Sequence, residues 1–135
     1  MQLQPGTEIQ LGRVWTLALN RNQNLLGKTV LILRRPCQAV VELTDEEWAD
    51  LRRQLCRLHV ALDALFALDH YNYAFLMNVD PQVHLHLLPR YQSPRQWEDA
   101  TFDDPHFGQP FGTEQRILEP AMLGRLSLAI RSRLP

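Results

Sequence analysis

The chain alternates between two hydrophobic rhythms, one of period two and one of period three to four. Thr7 to Leu11 and Val14 to Leu19 are short apolar runs split by Gly12-Arg13, and they predict a strand pair. A polar loop with three asparagines, Asn20-Arg21-Asn22-Gln23-Asn24, follows. Leu25-Leu26-Gly27 leads into Lys28 to Leu33, a run rich in β-branched residues that predicts a central strand. Pro36 ends it, because proline has no N–H to donate to a ladder. Val40 to Leu43 is too short to assign. The rhythm then changes. Trp48, Leu51, Leu55, Leu58, Leu62 and Leu65 recur at spacings of three and four, predicting a core-facing helix from Asp45 to Leu68. Thr44 and Glu47 form a capping-box pattern, and Asp45 and Glu46 place negative charge where the helix dipole favours it.

After the helix the period returns to two. Tyr71 to Asn78 predicts a strand, Val79-Asp80-Pro81 a tight turn, and the next stretch an antiparallel partner. In that partner Gln82, His84 and His86 share one face, and Val83, Leu85 and Leu87 share the other. Residues 92–116 are rich in Pro, Asp, Gly and Gln, and predict an irregular excursion anchored through Trp97, Phe102, Phe107 and Phe111. Pro120 in a first turn, then Leu123, Leu126 and Ile130, predict a C-terminal helix. The fold class is α+β: an antiparallel meander sheet, one long helix after the third strand and a C-terminal helix, in one domain spanning 1–135.

Composition narrows the field without naming a function. The chain is 45% hydrophobic and 21% charged, with a formal net charge of -1, so no basic field draws nucleic acid. No apolar run approaches the ~20 residues of a membrane span. Met1 to Pro5 lacks the pattern of a signal peptide, and Cys37 and Cys56 form no CxxC; both features predict reduced thiols and a cytoplasmic location. Cys56, inside the predicted helix, is expected in the core.

The chemistry concentrates at His84 and His86. A His-x-His pair on a strand admits three readings. Metal binding needs further ligands, and His59, His70 and His106 stand at no ligand-like spacing, so no metal or cofactor is expected. A structural role would leave both imidazoles hydrogen-bonded at a sheet edge. A catalytic role would use one neutral imidazole as nucleophile and the other to hold an anionic oxygen.

Gln82-Val83-His84-Leu85-His86-Leu87-Leu88-Pro89-Arg90 resembles the histidine-triad motif His-φ-His-φ-His-φ-φ, where φ is apolar, often followed by Pro-Arg. Leu19-Asn20-Arg21 through Gly27 to Ile32 is similar to another segment of that family, and Leu43 to Glu47 to the start of its helix. The ordered resemblance runs from about Ile9 to Tyr91 and is similar to a bacterial branch with Gln-x-His-x-His. It implies a nucleotide-binding hydrolase of dinucleoside polyphosphates or nucleoside phosphoramidates, working through a nucleotidyl-histidine. A nucleotidyl transferase or phosphorylase, and a non-catalytic nucleotide-binding module, stay open. By the resemblance His84 is the nucleophile and His86 holds phosphate and leaving-group oxygens; a backbone carbonyl near Val83 sets the nucleophile's tautomer. Asn78 donates to a phosphate oxygen, Asn20 lies near the ribose hydroxyls, and Gln23 contacts the nucleotide through the asparagine loop. Magnesium arrives, if at all, with the substrate phosphates, and a homodimer is implied.

Three departures bear on activity. Gln82 replaces the first histidine of the triad; it hydrogen-bonds but cannot titrate, so a supporting role is expected. Lys28 stands where the family has a histidine, and can hold a phosphate as a point charge. The usual phosphate-binding loop before the triad is replaced by Val79-Asp80-Pro81. Arg34 and Arg35 are expected as a solvated strand end, Arg90, which could pair with a phosphate or an acidic side chain, in a structural role, and Tyr71 and Tyr73 in core or interface.

Overall fold

The computed structural model describes residues 1–135. Its elements are β1 (Glu8–Leu11), β2 (Trp15–Leu19), β3 (Thr29–Leu33), a 3-10 turn (Val40–Glu42), α1 (Asp45–Phe66), β4 (His70–Ala74), β5 (His84–Arg90), β6 (Arg95–Trp97), β7 (Ala100–Phe102) and α2 (Pro120–Arg133). Strands β1 to β5 form an antiparallel sheet in the order β1-β2-β3-β5-β4. The chain crosses on α1 to the far edge, lays down β4, and returns with β5 in the gap beside β3. The histidine strand is therefore central and buried on both sides, which explains why it reads Leu-x-Leu on one face and still carries few charges.

The two faces differ. Leu17, Leu31, Leu33, Leu85 and Leu87 point to the helices, where they meet Leu58 and Leu62 of α1 and Leu126 and Ile130 of α2. The other face carries a second, smaller apolar cluster of Ala18, Val30 and Ile32, against which Leu3 packs. His84 and His86 belong to this helix-free face: His84 pairs with Ile32 across the ladder and His86 with Val30.

Helix α1 starts where its cap predicts. Thr44 accepts from the Glu47 N–H and Glu47 returns a bond to the Thr44 N–H, completing the capping box. It ends at Phe66, two residues before the predicted Leu68, because Ala67 turns left-handed (φ 51°) and donates its N–H back to Asp63. Trp48 is 40% exposed and meets Phe75 edge-to-face, with ring centroids 6.1 Å apart, so it flanks the core rather than filling it. Cys56 is exposed, against expectation, because it lies off the Leu51–Leu58–Leu62 stripe on the solvent side of the helix. Arg35 is also more than a solvated strand end: its guanidinium grips Glu47 with bonds of 2.6 and 2.8 Å.

The two strands around the predicted turn do pair, but β4 stops at Ala74 and β5 starts at His84, so residues 75–83 form a longer connection than the expected three-residue turn. The excursion after β5 is not wholly irregular. It contains the β6–β7 hairpin, with Phe102 fully in the core and Trp97 at its margin. Phe107 and Phe111 lie outside the core. Arg90, as expected, is structural: it is buried against Asp104, with Nε–Oδ2 at 2.8 Å and Nη2–Oδ1 at 3.3 Å. No helix is long and apolar enough to cross a membrane.

Candidate active site

Period-two alternation on β5 sets both imidazoles on the helix-free face, with ring centroids 4.9 Å apart and planes at 78°. His84 is 5% exposed. Its Nδ1 lies 2.6 Å from the carbonyl oxygen of Gln82. A carbonyl only accepts, so Nδ1 carries the proton and donates it, leaving the Nε2 lone pair free. The carbonyl expected near Val83 is thus that of Gln82; the Val83 carbonyl is used by the Leu33 N–H.

His86 has the opposite tautomer. Asn20 Oδ1 accepts the Asn22 N–H at 2.9 Å, which turns the Asn20 amide nitrogen toward His86 Nδ1, 3.5 Å away. Nδ1 is then the acceptor and Nε2 the donor. Burial, with smaller contributions from the charges of His84 and Lys28, pushes the His86 imidazole down to about 4. At neutral pH it is therefore an uncharged N–H donor.

Next to His86 lies a cavity of about 180 Å³, lined by Asn20, Lys28, Leu76, Leu88 and Phe111 among others. Lys28 enters from the start of β3, and its ammonium donates to Asn24 Oδ1 at 2.9 Å. Burial lowers its pKa from the ordinary lysine value. The cavity thus combines an amide, a cation, an imidazole N–H and an apolar wall.

His84 is not on the lining of this cavity but stands beside His86, with ring centroids 4.9 Å apart, and the remaining predicted residues are placed differently again. Gln82 lies on the same face but not on this cavity. Its Oε1 accepts from the Cys37 N–H at 3.1 Å, and its Nε2 donates to the carbonyls of Leu33 and Arg35, both at 2.7 Å. It ties the entry of β5 to the tail of β3 and borders a second hollow, of about 330 Å³, shared with Thr16, Ile32 and Arg34. Gln23 is fully buried, so the expected direct contact with a ligand gives way to a scaffolding role. Its Nε2 donates to the carbonyls of Asn20 and Lys28 (2.7 and 2.8 Å), and its Oε1 accepts from Gly27 N–H at 2.9 Å. Gly27 itself has φ +85°, and a Cβ there would come 3.1 Å from Leu62, so glycine is required. Asn78 is exposed in the β4–β5 connection and does not line the cavity. Strand pairing ends four residues earlier, and the alternation that would have aimed it ends with it.

Sequence reasoning missed the segment from Phe111 to Gln115, whose Phe111, Gly112, Thr113 and Gln115 close the cavity. The only sequence signal was the excess of asparagines at 20–24. No group of three or more His, Cys, Asp or Glu side chains is placed to hold a metal ion.

No family model and no curated protein matches the chain. Solved structures do. A histidine triad (HIT) protein from Sinorhizobium meliloti 1021 superposes with a TM-score of 0.76 at 19% identity, covering 95% of this chain and 89% of that one. A histidine triad protein from Marinobacter aquaeolei VT8 gives 0.71 at 22% identity, covering 94% and 87%. Plasmodium falciparum diadenosine triphosphate hydrolase, in complex with cyclomarin A, gives 0.71 at 14% identity, covering 96% and 77%. With TM-scores of 0.71 to 0.76 over at least 94% of its length, and with its antiparallel five-stranded sheet and two helices, the chain adopts the histidine-triad fold.

Proposed function

We propose that the protein binds a nucleoside phosphate and hydrolyses it, with His84 taking the nucleotidyl group. The observation that carries this reading is the 2.6 Å bond from His84 Nδ1 to the Gln82 carbonyl, which leaves Nε2 unprotonated on the helix-free face. A phosphodiester or phosphoanhydride repels an anionic nucleophile, and neutral imidazole avoids that repulsion. Nε2 attacks phosphorus, the N–P bond forms, the bond to the leaving group breaks, and water then releases the nucleoside monophosphate. His86, neutral and donating from Nε2, stabilises the oxygen on which charge develops; a well-placed donor of this kind is worth roughly 3–4 kcal/mol. Lys28 attracts the phosphate, and the Asn20 amide faces the sugar. Asn78 takes no part in this scheme, and Gln82 supports it from behind through its backbone. That a neighbour in fold is a diadenosine triphosphate hydrolase supports the substrate class.

The proposed state is a cytoplasmic homodimer. β4 is an open sheet edge, and beside it Tyr73 is 49% exposed with its ring stacked near His59 of α1 and its hydroxyl 2.7 Å from His59 Nε2.

The test is turnover of dinucleoside polyphosphates and nucleoside phosphoramidates, read as nucleoside monophosphate released. His84→Ala should lower kcat roughly 10³-fold or more, and His84→Gly should regain activity with added imidazole. Micromolar binding by wild type without turnover would replace the hydrolase with a binding module. Product that appears as nucleoside diphosphate only when orthophosphate is present would make it a phosphorylase.

A further inference from the structure

The cavity beside His86 is lined by unlike groups: Asn20 and Lys28 are polar, whereas Phe111, Leu76 and Leu88 are apolar. The backbone that carries Phe111 belongs to no helix or strand, yet it is held at both ends. Asn22 Nδ2 donates to the Glu114 carbonyl at 2.9 Å, and Asn22 Oδ1 accepts the Arg116 N–H at 2.7 Å. Gln23 N–H donates to the Arg116 carbonyl at 2.8 Å. Asn24 Nδ2 donates to the Gly112 carbonyl at 3.2 Å, while Asn24 Oδ1 takes the Lys28 ammonium. Upstream, the buried Arg90 guanidinium donates to the carbonyls of His106 and Gln109, each at 2.8 Å, besides its pair with Asp104. Two asparagines, the Gln23 backbone and a buried ion pair thus fix an irregular segment in one place, at the cavity. Nothing in the packing of the core requires this, because Phe107 and Phe111 lie outside the core. An aromatic ring on the lining of a cavity that also holds an amide and an ammonium suits a flat heteroaromatic ring.

We infer that residues Phe111 to Gln115 form the specificity wall of the site: Phe111 offers the face on which the substrate's base rests, and Asn22 and Asn24 are positioning residues that hold that wall through its backbone carbonyls. The inference rests on the nucleoside-phosphate reading above and extends it to the base. It also gives the asparagine loop its purpose. Asn20 turns inward to His86, while Asn22 and Asn24 turn outward to the wall.

The experiment compares the affinity of the intact protein for the four common nucleoside monophosphates with that for ribose 5-phosphate, which keeps the sugar phosphate and lacks the base. Wild type should bind at least one nucleotide roughly tenfold or more tightly than ribose 5-phosphate, as expected for one base on one aromatic ring. Phe111→Ala should erase most of that preference, weakening the nucleotide roughly tenfold and ribose 5-phosphate less than twofold. Phe111→Trp should keep it. Asn24→Ala should reduce the preference and raise KM for a nucleoside phosphoramidate by a larger factor than it lowers kcat. Equal weakening of both ligands by Phe111→Ala, or no weakening of either, overturns the wall. If nucleotides bind with the expected Phe111 dependence but are never turned over, the hydrolase reading fails and the wall stands. If turnover is normal and Phe111→Ala keeps the full preference, the wall fails and the hydrolase reading stands. If wild type binds neither class of ligand, both are overturned.

Discussion

Gln82 is the position where the structure makes the sharpest demand. It occupies the place of a histidine in the triad motif, and an acid–base role would predict that its replacement changes turnover. The structure predicts instead a change in stability. The side chain makes three bonds, one from the Cys37 N–H and one each to the carbonyls of Leu33 and Arg35. At ~0.5–1.5 kcal/mol net for each, and with water able to reach part of this site, Gln82→Ala should cost about 2 kcal/mol. A neutral imidazole has one donor and one acceptor, so Gln82→His satisfies at most two of the three partners and should cost about 1 kcal/mol. Gln82→Glu should cost more than alanine, because a carboxylate would face two carbonyl oxygens now 2.7 Å from Nε2. That carboxyl would titrate above its unfolded value, so its penalty is present at neutral pH and shrinks as the pH falls and the group becomes a donor. In each variant the Gln82 backbone carbonyl still accepts from His84, so kcat should stay within about threefold of wild type. Urea midpoints measure the first effect and steady-state turnover the second. A tenfold rise in kcat with Gln82→His, or a hundredfold fall with Gln82→Ala at unchanged stability, would show that the side chain reaches the reacting atoms.

Two further outcomes follow from buried groups. His86 is held down to about 4 by burial and by the charges of His84 and Lys28, below the ordinary 6.5. Between those values the unfolded chain binds the extra proton, so His86 contributes stability that is present above pH 6.5 and lost as the pH falls toward 4. Allowing for screening by solvent, wild type should lose about 1–2 kcal/mol more than His86→Gln between pH 7.5 and 4.5, read from urea midpoints; identical pH dependence would remove the burial argument. Asp104→Ala leaves the Arg90 guanidinium, whose side chain is 3% exposed, without its counter-charge. The expected loss is ~3–5 kcal/mol, or roughly 10–20 °C in Tm, with faster hydrogen exchange across residues 105–116. A loss under about 1 kcal/mol would mean that the remaining carbonyl partners suffice.

What could be read from the residues alone was whatever depends on near neighbours in the chain. The capping box at Thr44 and Glu47, the leucine stripe of α1 and the alternation of His84 and His86 with Leu85 and Leu87 each follow from local geometry. The ends of elements were less legible. β4 stops at Ala74, paired with His86, although Phe75 to Asn78 continue an apolar pattern and β5 runs two residues further, to His84; Met77 turns left-handed (φ 46°), which no extended strand allows. Asn78 was lost to the site for that reason, and Cys56 to the core because a helix position one step off the apolar stripe turns about 100° away from it.

By itself, then, the sequence determined an α+β chain with two imidazoles on one face of a strand and a loop rich in asparagine. Tertiary structure alone decided how those parts are used. The Gln82 carbonyl selects the His84 tautomer, the Gln82 amide serves the tail of β3, Gln23 is sealed inside its loop, and Asn22 and Asn24 reach partners 92 and 88 residues away. The physical reason is that a hydrogen-bonding side chain has several acceptable partners, and only the packed fold determines which of them lies within 3 Å.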